Sequence, residues 1–275
     1  MSVSETSATE TIKRIGPALV VASALGSTLG IVIAQFVDDL GDGILAEILG
    51  GNAVLYNNRV EFTGASDLAW AGGFLLCLIV GFLALFSYPT SRGHGVARLT
   101  LLWMVLHLLR QAFFQAVLLP VDSGSELALA YQTLEVPAGL DFVIGAAGAV
   151  GLLLVALSAA AAFLAFTPHH KMISTGRKRL TFAFWIALAP AIASIFLAIP
   201  FFVPDAGSGV IPALPLTAVI FLATVAAAPG TTVQGPEDHR ETSWPWGLGV
   251  TLIMILLFEQ FVLRGGVSVD PTRWG

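Results

Sequence analysis

The chain has 275 residues, 56% of them hydrophobic and 11% charged, with a net charge of −5 and a mean hydropathy of +0.85. Soluble domains carry about 25% charged residues, so an ordinary soluble fold is excluded, and the acidic balance offers no basic surface for nucleic acid. A lone cysteine, Cys77, provides neither a disulfide framework nor a cysteine-based metal site.

Residues 1–15 form a polar tail rich in Ser, Thr and Glu. The first apolar block, Gly16 to Phe36, has no small-residue cleavage site of convincing form behind it and is expected to be a retained span. Further blocks run from Leu68 to Tyr88, Val96 to Leu119, Leu140 to Phe166, Leu180 to Val203, Val210 to Ala228 and Gly247 to Leu263. A helix needs about 20 apolar residues to cross a roughly 30 Å hydrocarbon core, and these blocks have that length. Pro89, Pro120, Pro168, Pro204 and Pro229 stand just past proposed C-terminal ends, where a residue without an N–H cannot continue the helical ladder. Pro212 and Pro215 fall early in the sixth block, where proline is tolerated.

Lys and Arg flanking the spans are retained on the cytoplasmic side. Seven spans put Lys13, Arg14, Arg92, Arg98, Lys171, Arg177, Lys178, Arg179 and Arg240 on one side and Arg59, Arg264 and Arg273 on the other, with Arg110 inside a span. Six or eight spans spoil this partition. The expected fold is therefore all-α, a polytopic transmembrane helix bundle of about seven spans, N-terminus in and C-terminus out. It forms one transmembrane domain over 16–264 in the cell membrane, with an extracytoplasmic loop at 37–67 and an outer tail at 265–275. The lipid bilayer surrounds it, and other membrane subunits or a second copy are the expected protein partners. Gly145, Ala146, Ala147, Gly148 and Gly151 in the fourth span permit close helix contact. No internal repeat of the kind that marks many secondary transporters is visible.

Two sets of ionisable residues stand out. In the third span His107, Gln111 and Gln115 recur every four residues and Arg110 follows His107 by three, which places all four on one helix face. A charge at bilayer depth costs about 3 kcal/mol or more unless it is paired or hydrated. Glu259 in the seventh span has the matching depth and is the expected partner of Arg110, as a structural ion pair or as part of a proton or substrate path.

The second set is Asp38, Asp39 and Asp42, in a stretch whose Ile44, Leu45, Ile48 and Leu49 have helical spacing, so the first span continues as an amphipathic helix. Three carboxylates so close would suit Mg²⁺, Mn²⁺ or Ca²⁺, while charge runs more commonly form a solvated collar. The register Asp-Asp-Leu-Gly-Asp-Gly, with Ala46 and Gly50-Gly51 behind it, resembles the His-Glu-Leu-Gly-His-Ala helix of site-two-type intramembrane metalloproteases. Ala53 to Phe62 resembles that family's strand hairpin, and Ala71, Gly72 and Gly73 resemble the opening of its next span. The resemblance implies a degenerate relative: Asp38 and Asp42 replace the zinc-binding histidines, Asp39 replaces the catalytic glutamate, and Asp141 is the one candidate for the later ligand. The same letters partly match the CDP-alcohol phosphatidyltransferase signature and the DDxxD pattern of Mg²⁺-dependent prenyl transfer, each without its second aspartate motif. The expected function is a structural, accessory or ligand-binding membrane subunit without catalysis. A metal-dependent membrane enzyme using the aspartates is the alternative, and a transporter or channel lined by Arg110, His107 and Glu259 comes third.

Overall fold

Helices dominate because the bilayer leaves the backbone no partner but itself. A computed structural model describes residues 15–88, 95–134, 136–137, 139–203, 210–231 and 242–270, the side chains of 210–216 excepted. The expectations resting on Lys13, Arg14, Arg92, Arg240, Arg273, the tail 1–14 and the outer residues 271–275 lie outside the described residues. The chain runs through α1 (Pro17–Ile48), a hairpin of β1 (Asn52–Leu55) and β2 (Val60–Thr63), a 3₁₀ turn (Asp67–Ala71), α2 (Gly72–Ser87), α3 (Val96–Leu118) and α4 (Glu126–Thr133). It continues with α5 (Leu140–Leu164), α6 (Gly176–Ala183), α7 (Ala189–Phe202), α8 (Val210–Ala227), α9 (Trp246–Phe261) and β3 (Val267–Ser268). A π turn at Phe184–Leu188 joins α6 and α7 into one span.

Among the described residues six helices are long and apolar enough to cross a membrane. In α8 the described apolar stretch is the shorter Thr217–Gly230, but the ends of its neighbours require it to cross too. The Gln260 amide of α9 donates to the carbonyls of Pro200 and Val203, so the C-terminal ends of α7 and α9 share one face. A return crossing must separate them. At the opposite face Gly176, the start of α6, packs on Pro229, and Arg179 donates to the Thr231 carbonyl just past α8. Strand β1 pairs antiparallel with both β2 and β3, which sets the segment after α9 beside the end of α1. Seven crossings satisfy every one of these contacts.

Proline chemistry explains the π turn. Pro190 has no N–H to give the carbonyl of Ile186 four residues earlier, and a proline ring clashes with that carbonyl in a regular helix. The backbone widens so that Ala189 N–H reaches Phe184 O, and the hydroxyl of Ser23 on α1 donates to the freed Ile186 carbonyl at 2.6 Å. At the other end of this span, the side chains of Asn57 and Asn58 in the hairpin turn donate to the carbonyls of Phe201, Phe202 and Val203. Those are the carbonyls a helix C-terminus leaves without partners. The hairpin therefore lids α7.

Glycines let α1 approach its neighbours. A Cβ on Gly30 would lie 2.9 Å from the Trp103 carbonyl oxygen of α3, and one on Gly41 would strike the backbone of Gly72 and Gly73 in α2. As expected of the small residues in the fourth span, Gly145, Gly148 and Gly151 of α5 meet Pro120, Phe113 and Ala116 at the same close range. Outward faces are apolar, with Leu75, Ile79 and Leu83 on α2 and Val250, Ile253 and Leu257 on α9 exposed to the bilayer.

Candidate functional site

At about 1.5 Å per residue the 32 residues of α1 extend about 48 Å, well past a roughly 30 Å hydrocarbon core. Its last third carries the three aspartates as one unbroken helix, as the sequence predicts. Their environment differs from a solvated collar: Asp38, Asp39 and Asp42 are 2%, 6% and 2% exposed. The close α1–α2 crossing at Gly41, Gly72 and Gly73 buries them, while Ile44 and Ile48 turn outward.

Asp38 is the hub. Gln111 of α3 donates to its Oδ2 at 2.8 Å, and Gln115, one turn further on, donates to Oδ1 and Oδ2 at 2.9 and 3.0 Å. Arg110 donates to Gln111 Oε1 at 3.0 Å, so that amide stands between guanidinium and carboxylate. Gln115 also donates to Glu126 Oε2 at 3.3 Å, drawing in α4. Asp42 Oδ1 accepts the Gly73 N–H at 2.6 Å, and Asp39 accepts from Gln35 within α1 at 3.0 Å. The Cys77 thiol lies 3.9 Å from Asp38 Oδ1. Each aspartate thus faces a different donor, and among the described residues no three His, Cys, Asp or Glu side chains converge on a point where a metal ion could sit. Helical geometry is the reason Asp38, Asp39 and Asp42 are dealt out to different partners. Consecutive residues on a helix point about 100° apart, so a packed helix distributes them among its neighbours. Asp141 accepts the Gly139 N–H at the start of its own helix.

The third-span face divides in two. Gln111, Gln115 and Arg110 gather around Asp38, whereas His107 sits deeper in an aromatic box, stacked on Trp103 at 5.6 Å and tilted against Phe221 of α8 at 5.8 Å. His107 Nε2 meets the hydroxyl of Ser27 at 3.1 Å, and Ser27 donates to Ser194 of α7 at 2.8 Å. Glu259 is buried at 4% exposure, with Oε2 lacking a hydrogen-bond partner, and among the described residues no ion pair joins it to Arg110. Its charge acts on Asp39, while that of Arg110 acts on Asp38. Arg110 and Glu259 therefore act on neighbouring residues that point about 100° apart around α1.

Glu126, Gln35, Ser27 and Ser194 complete the network and are absent from the sequence expectations. A signal existed for the first: Ser125 precedes Glu126, and Leu127, Ala128 and Ala130 beyond it form the buried face of a short helix. The Glu126 carboxyl is raised to about 8, first by loss of hydration and then by the Asp38 charge.

Fold and site together define an all-α, multi-pass integral membrane protein with a buried polar network toward one face. No family model, curated protein or solved structure matches the chain.

Proposed function

We propose that the protein is a structural, accessory or ligand-binding subunit of the cell membrane, without catalysis, with its hairpin face outside the cytoplasm. The observation that supports this is the use made of the acidic segment: each aspartate is bound to a donor of its own. Catalytic metal centres aim several acids at one point and keep a coordination position open for substrate or water. Here the acids are directed apart and clasp α1 to α2 and α3, with Gln115 tying α3 on to α4, a use of buried polar groups that specifies one packing arrangement. A distant relationship to the site-two-type metalloproteases, with the zinc ligands replaced, belongs to the same proposal and rests on the Asp-Asp-Leu-Gly-Asp register.

Heat stability in the presence of divalent ions tests it. Mg²⁺, Mn²⁺ and Ca²⁺ should each leave the Tm of purified protein where a monovalent salt of equal ionic strength leaves it. An ion-specific rise that disappears in Asp38→Asn/Asp42→Asn would establish the metal-dependent alternative, because a ligand that binds only the folded state raises its stability by RT ln(1 + [L]/Kd).

Orientation has a separate check. Arg98, Lys171 and Arg177 to Arg179 lie at the face opposite the hairpin, and basic residues mark the cytoplasmic side. Cys77 is fully shielded, and Cys77→Ser gives a background without thiols. In intact cells an impermeant thiol reagent should label Ser123→Cys, in the exposed turn before α4, and should spare Ser174→Cys. The reverse pattern would invert the protein in its membrane.

A further inference from the structure

We propose that Asp38 and Glu126, joined through the Gln115 amide, form a proton-binding site that exchanges with water on the hairpin side of the membrane. The clasp proposed above holds with or without the proton, so this inference goes beyond it.

The geometry at Gln115 is unbalanced. Its nitrogen donates to both oxygens of Asp38 and to Glu126, while its carbonyl oxygen is buried without a partner. A primary amide has two N–H donors and an acceptor with two lone pairs, and its two ends exchange places by rotation. Rotated, the same side chain accepts an O–H from a protonated acid through Oε1 and still donates to the other acid. The idle carbonyl is thus the acceptor that a protonated Asp38–Glu126 pair requires.

The surrounding charges favour such a proton. Asp38, Asp39 and Asp42 face the cluster from α1, Glu126 from α4 and Glu259 from α9, with Cys77 from α2 and Arg110 from α3. Among the described residues, these five carboxylates share one fixed cation, Arg110. Buried acids so close cannot all remain ionised, and they hold protons as a group. Because they point apart, a proton suits them better than a metal ion. Glu126 gives the group its outlet, being half-buried on a short helix beyond the spans, with a carboxyl raised to about 8.

Infrared spectroscopy of the purified protein, titrated from about pH 5 to about pH 10, tests the site. A protonated-carboxyl stretch should be present at the acid end, contain a component that vanishes with a midpoint of about 8, and lose that component in Glu126→Gln. In Gln115→Leu, which lacks the amide bridge, the midpoint should move. Stability supplies a second readout that does not depend on the band. A carboxyl raised from 4.5 in the unfolded chain to about 8 in the folded one stabilises fully below the lower value and loses that contribution as pH rises through the higher. The Tm should therefore fall between about pH 5 and about pH 9, and Glu126→Gln should flatten the profile. A parent protein with no titrating protonated-carboxyl band overturns the proposal, as does a band and Tm profile unchanged in both Glu126→Gln and Asp38→Asn.

Discussion

Gly41→Leu is expected to abolish folding in the membrane or nearly so. A Cβ at this position would lie 2.7 Å from the Gly72 carbonyl carbon and 2.9 Å from Gly73 Cα, with the Gly72 oxygen closer still. Flexible side chains can yield to an added atom, but these neighbours are backbone at the start of α2. The helices would have to separate, exposing Asp38 and Asp42 and breaking the hydrogen bond from Gly73. Overpacking a core costs about 1–3 kcal/mol where side chains can adjust, and a backbone collision belongs at or above the upper end. Folded yield in detergent, read by size-exclusion chromatography, is the measurement. Gly247→Leu serves as control, since nothing lies within 4 Å of a Cβ there. Equal yields for the two variants would mean that α1 and α2 do not cross at these glycines.

The second large effect is expected at Asp38. Asp38→Leu strips the acceptor from Gln111 and Gln115 at once and takes from Arg110 the carboxylate that acts on it. Breaking a buried charge network by removing one partner costs about 3–5 kcal/mol, because the remaining groups stay buried. Asp38→Asn preserves the shape and one acceptor oxygen, so its cost is that of weakened hydrogen bonds, about 1–2 kcal/mol. Thermal unfolding in detergent should rank parent, Asn and Leu in that order with a clear gap before the last. If Leu melts with Asn, the glutamines are satisfied elsewhere and Asp38 is not the hub.

The spans are legible in the sequence because the bilayer imposes a length and a composition that few soluble helices share. Each expected span coincides with a helix, and α6 begins only four residues early, at Gly176. There the basic run Arg177–Arg179 reads as loop but forms the first helical turn, with Thr175 accepting the Lys178 N–H as cap. The α4 helix and the two-residue β3 escape notice because each is too short to establish a period.

The polar network is only partly legible. Spacing puts His107 and Gln115 on one face, but eight residues of helix separate them by about 12 Å, enough to meet different neighbours. Depth can be counted along a helix, whereas the direction a side chain takes around it depends on how the helices pack. For Asp38, Asp39 and Asp42 the informative signal is at a distance: Gly41, Gly72 and Gly73 permit a contact close enough to enclose acids that would otherwise be solvated.

The central strand of the small sheet carries a consequence for biosynthesis. β1 is paired on one edge by β2 as soon as the hairpin forms, but its other edge waits for β3, which begins at Val267, 212 residues after Leu55. At about 5–20 residues per second a ribosome needs roughly 10–40 s to make that interval. Throughout it the free edge of β1 presents unpaired N–H and C=O groups, the kind of template on which neighbouring chains join. The segment that follows α9 closes it, with Val269 N–H completing the register on the Ala53 carbonyl at 3.0 Å. The sheet is therefore completed at the membrane surface only after α9 has been made, when β3 is stitched to a strand synthesised 212 residues earlier.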